Sequence, residues 1–149
     1  MFRVSCIQLK SNNNIQSNFI KTERLIKKAI SQKADFILTP EVSSLFTLNK
    51  KLLLDQCTSM DKDEYLRGIK KLAKKHKKWI LIGSLVIKIG KNKLVNRSVL
   101  INSKGRIQSY YDKIHMYDVT LSKKEKYFES KSFNPGNKIK TFNLPWGKI

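Results

Sequence analysis

Two short apolar runs, Phe2 to Leu9 and Asp35 to Glu41, stand on either side of an amphipathic stretch, and that order leaves few ways to fold. The first run is β-rich and ends in the polar cluster Lys10-Ser11-Asn12-Asn13-Asn14, as a buried strand does on entering a loop. From Ile15 the apolar residues Phe19, Ile26, Ala29 and Ile30 recur at helical spacing, while Lys21, Glu23, Arg24, Lys27 and Lys28 take the other side, which predicts a helix to about Lys33. A strand, a helix and a second strand halted by Pro40 favour a parallel crossover and an α/β fold. Glu41 then falls at the C-terminal end of the second strand.

Residues 42–60 leave more than one conformation open and admit a short helix around Lys50 to Gln56. Asp61 and Glu64 have the spacing of a capping box, and Tyr65, Leu66, Ile69, Leu72, Ala73 and His76 share one face of the helix that follows. His76, near the helix end, is expected to pack or cap. Three further runs, Trp79 to Ile89, Leu94 to Asn102 and Arg106 to Tyr111, are separated by Gly90-Lys91-Asn92 and Ser103-Lys104-Gly105, which predicts an antiparallel meander. From Asp112 the chain is aromatic, charged and irregular, with one more strand expected at Ile139 to Phe142.

The 149 residues suit a single domain. No apolar run reaches the roughly 20 residues needed to cross a bilayer, and the opening segment lacks the lead of a signal peptide, so no membrane association and a cytoplasmic location are expected. Cys6 and Cys57 lie far apart without metal-ligand spacing, so neither a zinc site nor a disulfide scaffold is expected, and both thiols are read as buried. No cofactor or metal is called for.

A net charge of +20 makes nucleic acid the first partner to weigh, and the Lys70, Lys71, Lys74 and Lys75 face is its best candidate surface. Only 5 of the 31 cations are Arg, however, whereas phosphate and base recognition lean on the guanidinium fork. Lys, Ile and Asn supply 53 of the 149 residues, a bias that AT-rich codon usage produces unaided. A solvated lysine face is therefore favoured over a nucleic-acid footprint.

Two residues stand out for their chemistry. Glu41 follows Ile37-Leu38-Thr39-Pro40, so its carboxylate sits at the mouth of an apolar strand, where desolvation would make a general base; this segment alone favours instead a loop carboxylate satisfied by backbone N–H groups. Lys113 is one lysine among 26, set apart by its surroundings in Tyr110-Tyr111-Asp112-Lys113-Ile114-His115-Met116-Tyr117-Asp118. A surface lysine after a strand is the default reading.

The ordered blocks Pro40-Glu41, Gly83-Ser84, Asn96-Arg97-Ser98, Tyr111 to Asp118, Phe128-Glu129-Ser130 and Pro135-Gly136 resemble the carbon-nitrogen hydrolase (nitrilase) superfamily, and within it the ω-amidase and deaminated-glutathione amidase branch. The resemblance runs the length of the chain. It implies a four-layer α-β-β-α sandwich, of which residues 1–149 would be the N-terminal part, a partial carbon-nitrogen hydrolase domain. It also implies Glu41 as general base, Lys113 as the cation stabilising an oxyanion, and Glu129 as a second glutamate holding the lysine and substrate in register. The implied reaction cleaves a small, non-peptide amide, and the implied full-length parent is a homo-oligomer.

The nucleophile implied by the resemblance is a cysteine in a Gly-x-x-x-Cys-Tyr-type elbow, which would fall beyond Ile149; neither Cys6 nor Cys57 matches it. The chain by itself is accordingly expected to be inactive and to expose a sheet edge and an uncovered apolar face. A basic nucleic-acid-binding module and a non-catalytic remnant of an amidase are the alternative readings.

Overall fold

The computed structural model describes residues 2–149. A five-stranded sheet forms its centre, in the order β1 (Val4–Cys6), β2 (Phe36–Leu38), β3 (Trp79–Gly90), β4 (Lys93–Ile101) and β5 (Ile107–Asp112). Strands β1, β2 and β3 are parallel neighbours, and β3, β4 and β5 form the expected antiparallel meander. The crossover from β1 to β2 is helix α1 (Ile15–Ser31), and α2 (Lys50–Gln56) and α3 (Glu64–His76) lie between β2 and β3. The short helix at Lys50 to Gln56 is thus present where the sequence admits one.

Side chains alternate across a strand, so a single register divides the sheet into two unlike faces. Ile37, Ile80, Ile82, Leu85, Ile87, Val95, Val99 and Ile101 point to one side and pack against Ile26, Ala29, Tyr65, Leu66, Ile69, Leu72 and Ala73 of α1 and α3. On the other side Val86 and Leu94 join Leu45, Leu53 and Cys57 in a smaller cluster beneath α2. The register of β3 on β4 shifts between Ile82 and Leu85, which switches the inward set from even to odd positions.

Four expectations need correction. The N-cap of α3 is Asp63, not Asp61: its carboxylate accepts from the Leu66 N–H at 2.7 Å, and Glu64 is the first helical residue. Asp61 lies in the preceding turn. No strand forms over Ile139 to Phe142; the chain instead makes a small hairpin of β8 (Asn143–Leu144) and β9 (Gly147–Lys148), turning at Pro145-Trp146. Cys6 is exposed because it lies on β1, an edge strand, on the face away from the helices, whereas Cys57 is buried as expected. Finally, the face away from the helices is only partly bare. The terminal hairpin lies on this side, where Phe142 and Ile149 line an open cavity together with Leu81 and Leu100, and Trp146 stacks on Phe2 with ring centres 4.6 Å apart.

A second hairpin, β6 (Asp118–Thr120) with β7 (Lys126–Phe128), leads into a single 3-10 turn at Glu129–Lys131. No helix among the described residues is long and apolar enough to cross a membrane.

The cap assignment is directly testable. Asp63→Ala is expected to lower the urea-unfolding free energy by about 1 kcal/mol through loss of the cap, and Asp61→Ala to leave it unchanged.

Candidate active site

The two residues that follow β2 are held by β3. A Cβ on Gly83 would lie 2.2 Å from the Thr39 carbonyl oxygen, so only glycine lets the irregular segment of β3 approach the end of β2 so closely. The next residue, Ser84, accepts the Val42 N–H on its Oγ at 2.7 Å, and its carbonyl accepts the Ser43 N–H at 3.0 Å. Val42 is thereby held at φ 51°, a left-handed conformation that a β-branched residue adopts only under tertiary constraint. The reversal turns Glu41 out of the sheet and over the strand ends. Gly83-Ser84 is therefore the local device that aims Glu41.

Lys113 follows β5 directly. Its N–H donates to the Asn96 carbonyl at 2.9 Å, its own carbonyl accepts from Gly136 N–H at 2.9 Å, and a Cβ on Gly136 would lie 2.2 Å from the Asp112 carbonyl oxygen. The Asp112 carboxylate is in turn clamped by the Arg97 guanidinium at 2.6 and 2.8 Å, and that guanidinium lies over the Tyr110 ring at 4.1 Å. Glu129 opens the 3-10 turn. Tyr117 and Asp118 staple it in place: Tyr117 N–H donates to Glu129 Oε2 at 2.7 Å, and Ser130 N–H donates to Asp118 Oδ1 at 3.0 Å.

The structure brings Glu41, Lys113 and Glu129 together. The Lys113 ammonium donates to Glu41 Oε1 at 3.0 Å and to Glu129 Oε2 at 2.8 Å. All three line an open cleft of about 770 Å³, with Phe46, Tyr127 and Phe133 among its walls. A groove of similar size between α1 and α3 has none of these groups. The desolvation expected of Glu41 is not supplied by this chain, since its side chain is 57% exposed, and Lys113 is half-buried rather than enclosed.

The sequence reading assigned no role to Asn96, yet its Nδ2 donates to Glu41 Oε1 at 2.7 Å and to Glu129 Oε1 at 3.3 Å. Its signal was visible: the polar Asn96-Arg97-Ser98 interrupts an otherwise apolar strand. The cysteines do not contribute. Neither lines the cleft, and burial pushes the Cys57 thiol up to about 12, which leaves it protonated and inert at neutral pH. No group of three or more His, Cys, Asp or Glu among the described residues could hold a metal ion.

Burial disfavours the Lys113 ammonium, but its bonds to Glu129 and Glu41 outweigh that and hold its pKa above the ordinary lysine value. Burial likewise opposes the Glu129 carboxylate, yet Lys113, the Tyr117 N–H and Asn96 keep its pKa below the ordinary glutamate value. Both groups are therefore charged at neutral pH. The arrangement thus sets a carboxylate, Glu41, in position to accept a proton beside an ammonium that can face a developing oxyanion.

The carbon-nitrogen hydrolase family model matches residues 3–149. A deaminated glutathione amidase from Dictyostelium discoideum is 32% identical over 158 residues, covering 99% of this chain and 53% of the relative. A human omega-amidase is 25% identical, covering 99% of this chain and 52% of that protein. Among solved structures, the Caenorhabditis elegans NitFhit protein superposes with a TM-score of 0.86 at 27% identity, covering 99% of this chain and 37% of its own. The chain thus spans about half the length of the two amidases.

The charge states predict a pH window. Glu129 is held below 4.5, so its contribution to stability is present above that value and lost as pH falls through its folded value; Lys113 is held above 10.5, so its contribution is present below that value and lost as pH rises through its folded value. The difference in urea midpoint between the parent chain and Glu129→Gln should accordingly be largest near neutrality and shrink at both extremes. A difference that ignores pH would show that the ion pair contributes nothing.

Proposed function

This chain belongs to the carbon-nitrogen hydrolase family, and from that membership we propose that it is the N-terminal part of an amidase whose nucleophilic cysteine lies outside these 149 residues. The supporting observation is a single one: a lysine ammonium within 3.0 Å of two carboxylates, in a cleft where no cysteine of the described chain is found. A cation and a base stand ready for a nucleophile that must come from elsewhere.

In the proposed reaction Glu41 takes the thiol proton as the sulfur attacks an amide carbonyl. Lys113, kept charged by its two carboxylates, stabilises the oxyanion of the tetrahedral intermediate. Glu41 returns the proton to the departing nitrogen, which leaves as ammonia, and a thioester remains. Water, deprotonated by Glu41, then attacks the thioester through a second oxyanion beside Lys113; the C–S bond breaks, Glu41 passes its proton to the leaving sulfur, and the carboxylic acid and the free thiol are released. Glu129 stays ionised and holds Lys113 in place throughout.

The substrate we propose is a small amide that also carries a carboxylate. Lys126 lines the same cleft outside the Glu41–Lys113–Glu129 cluster, and its ammonium is the cation we assign to the substrate carboxylate. The relatives support this chemistry, since amidase is the name given to both the Dictyostelium and the human proteins.

The test is kinetic and uses the protein carrying its cysteine. Glu41→Gln and Lys113→Ala are each expected to cut kcat/KM for a carboxylate-bearing amide by roughly 100-fold or more, with circular dichroism unchanged. Near-normal rates in either variant would overturn the assigned roles. Alkylation of the proposed cysteine by iodoacetamide should abolish turnover, whereas alkylation confined to Cys6 should leave it intact.

A further inference from the structure

We propose that Asn96 is a positioning residue that decides which oxygen of Glu41 accepts the proton, an assignment that rests on the reaction proposed above. Asn96 sits in β4 and is 3% exposed. Its amide is a neutral donor aimed at both carboxylates, reaching Oε1 of Glu41 at 2.7 Å and Oε1 of Glu129 at 3.3 Å. Lys113 donates to the same Oε1 of Glu41 at 3.0 Å. Glu41 Oε1 therefore accepts two donors, while its Oε2 accepts none from the described residues. A donor withdraws charge from the oxygen it binds, so the proton goes to Oε2, the atom left without a donor.

The same amide separates the two glutamates by task. Both oxygens of Glu129 are engaged, Oε1 by Asn96 and Oε2 by Lys113 and the Tyr117 N–H, so it has no free oxygen to offer a proton. Glu41 keeps one. Asparagine suits this place because it carries no charge and cannot exchange a proton with the base beside it. An aspartate of the same shape would remove both donations and add a third anion at hydrogen-bond distance from the first two.

The backbone role of Asn96 is separable from its side chain, because Lys113 N–H bonds the Asn96 carbonyl, which any residue supplies. Asn96→Ala in the protein carrying its cysteine is thus expected to lower kcat by roughly 10- to 100-fold, the equivalent of one hydrogen bond to a charged group, with KM for a carboxylate-bearing amide changed little. The acidic limb of its kcat/KM profile should move to higher pH, and a 13C NMR titration should find the Glu129 carboxyl ionising at higher pH than in the parent. A purely structural role would lower activity without moving either titration.

Asn96→Asp, which preserves volume, should lose at least as much kcat as the alanine variant. If Asn96→Ala does not fold, Asn96→Asp is read in its place; if neither folds, the residue is structural and the proposal falls. Wild-type kcat and an unmoved acidic limb in Asn96→Ala, alongside an inactive Glu41→Gln, would overturn the role of Asn96 while leaving the hydrolase reading intact. An active Glu41→Gln would instead overturn the hydrolase reading.

Discussion

The Lys113 ammonium, held between Glu41 and Glu129, is the interaction on which the arrangement of this chain turns. Two carboxylates brought to one lysine repel each other, and the cluster holds only because an ammonium and an amide sit between them. The three groups come from positions 72 and 16 residues apart along the chain. Much of the local structure outside the core serves to deliver them. Gly83 and Ser84 turn Glu41 over the strand ends, Gly136 seats the backbone at Lys113, and Tyr117 with Asp118 holds Glu129.

The sheet separates stability from chemistry by side-chain alternation. One face is a continuous aliphatic layer against α1 and α3, with Ile26, Ile37, Ile69, Ile80, Ile82, Leu85, Val99 and Ile101 essentially without solvent contact. Burial of that many branched side chains supplies the driving force for the chain's own folding. The opposite face carries the polar Asn96 and Ser98 among Val86, Leu94 and Leu100, which weakens its hydrophobic contribution and gives the charged cluster a rigid floor. Both faces share the same strands, so the chemical groups are carried on the most stable part of the molecule.

The places where sequence reading succeeded and failed have a common cause. Helix α1, the parallel pair β1 and β2, and the β3–β5 meander were legible because each rests on repeated apolar spacing, which many residues vote on together. The cap of α3 was misplaced by two positions because Asp61 and Asp63 are chemically alike, and only burial against the helix start distinguishes them. The terminal hairpin was missed because its strands are two residues long and its turn is tied to the start of the chain by the Trp146–Phe2 stack, which leaves no local pattern. Glu41, Lys113 and Glu129 were reached through ordered motifs rather than periodicity.

What the amino-acid order determined by itself was the set of elements, their succession and the identity of the three charged residues, because helix and strand periods and short motifs are properties of neighbouring positions. Only the tertiary structure decided how those residues meet. The shared donation of Lys113 and Asn96 to one oxygen of Glu41, the left-handed Val42 and the exposure of Glu41 depend on groups far apart in the chain, set to a fraction of an ångström by the β3 irregularity and the turns behind it. Hydrogen bonds and ion pairs are short-range and directional, so their partners are chosen by the fold and not by composition.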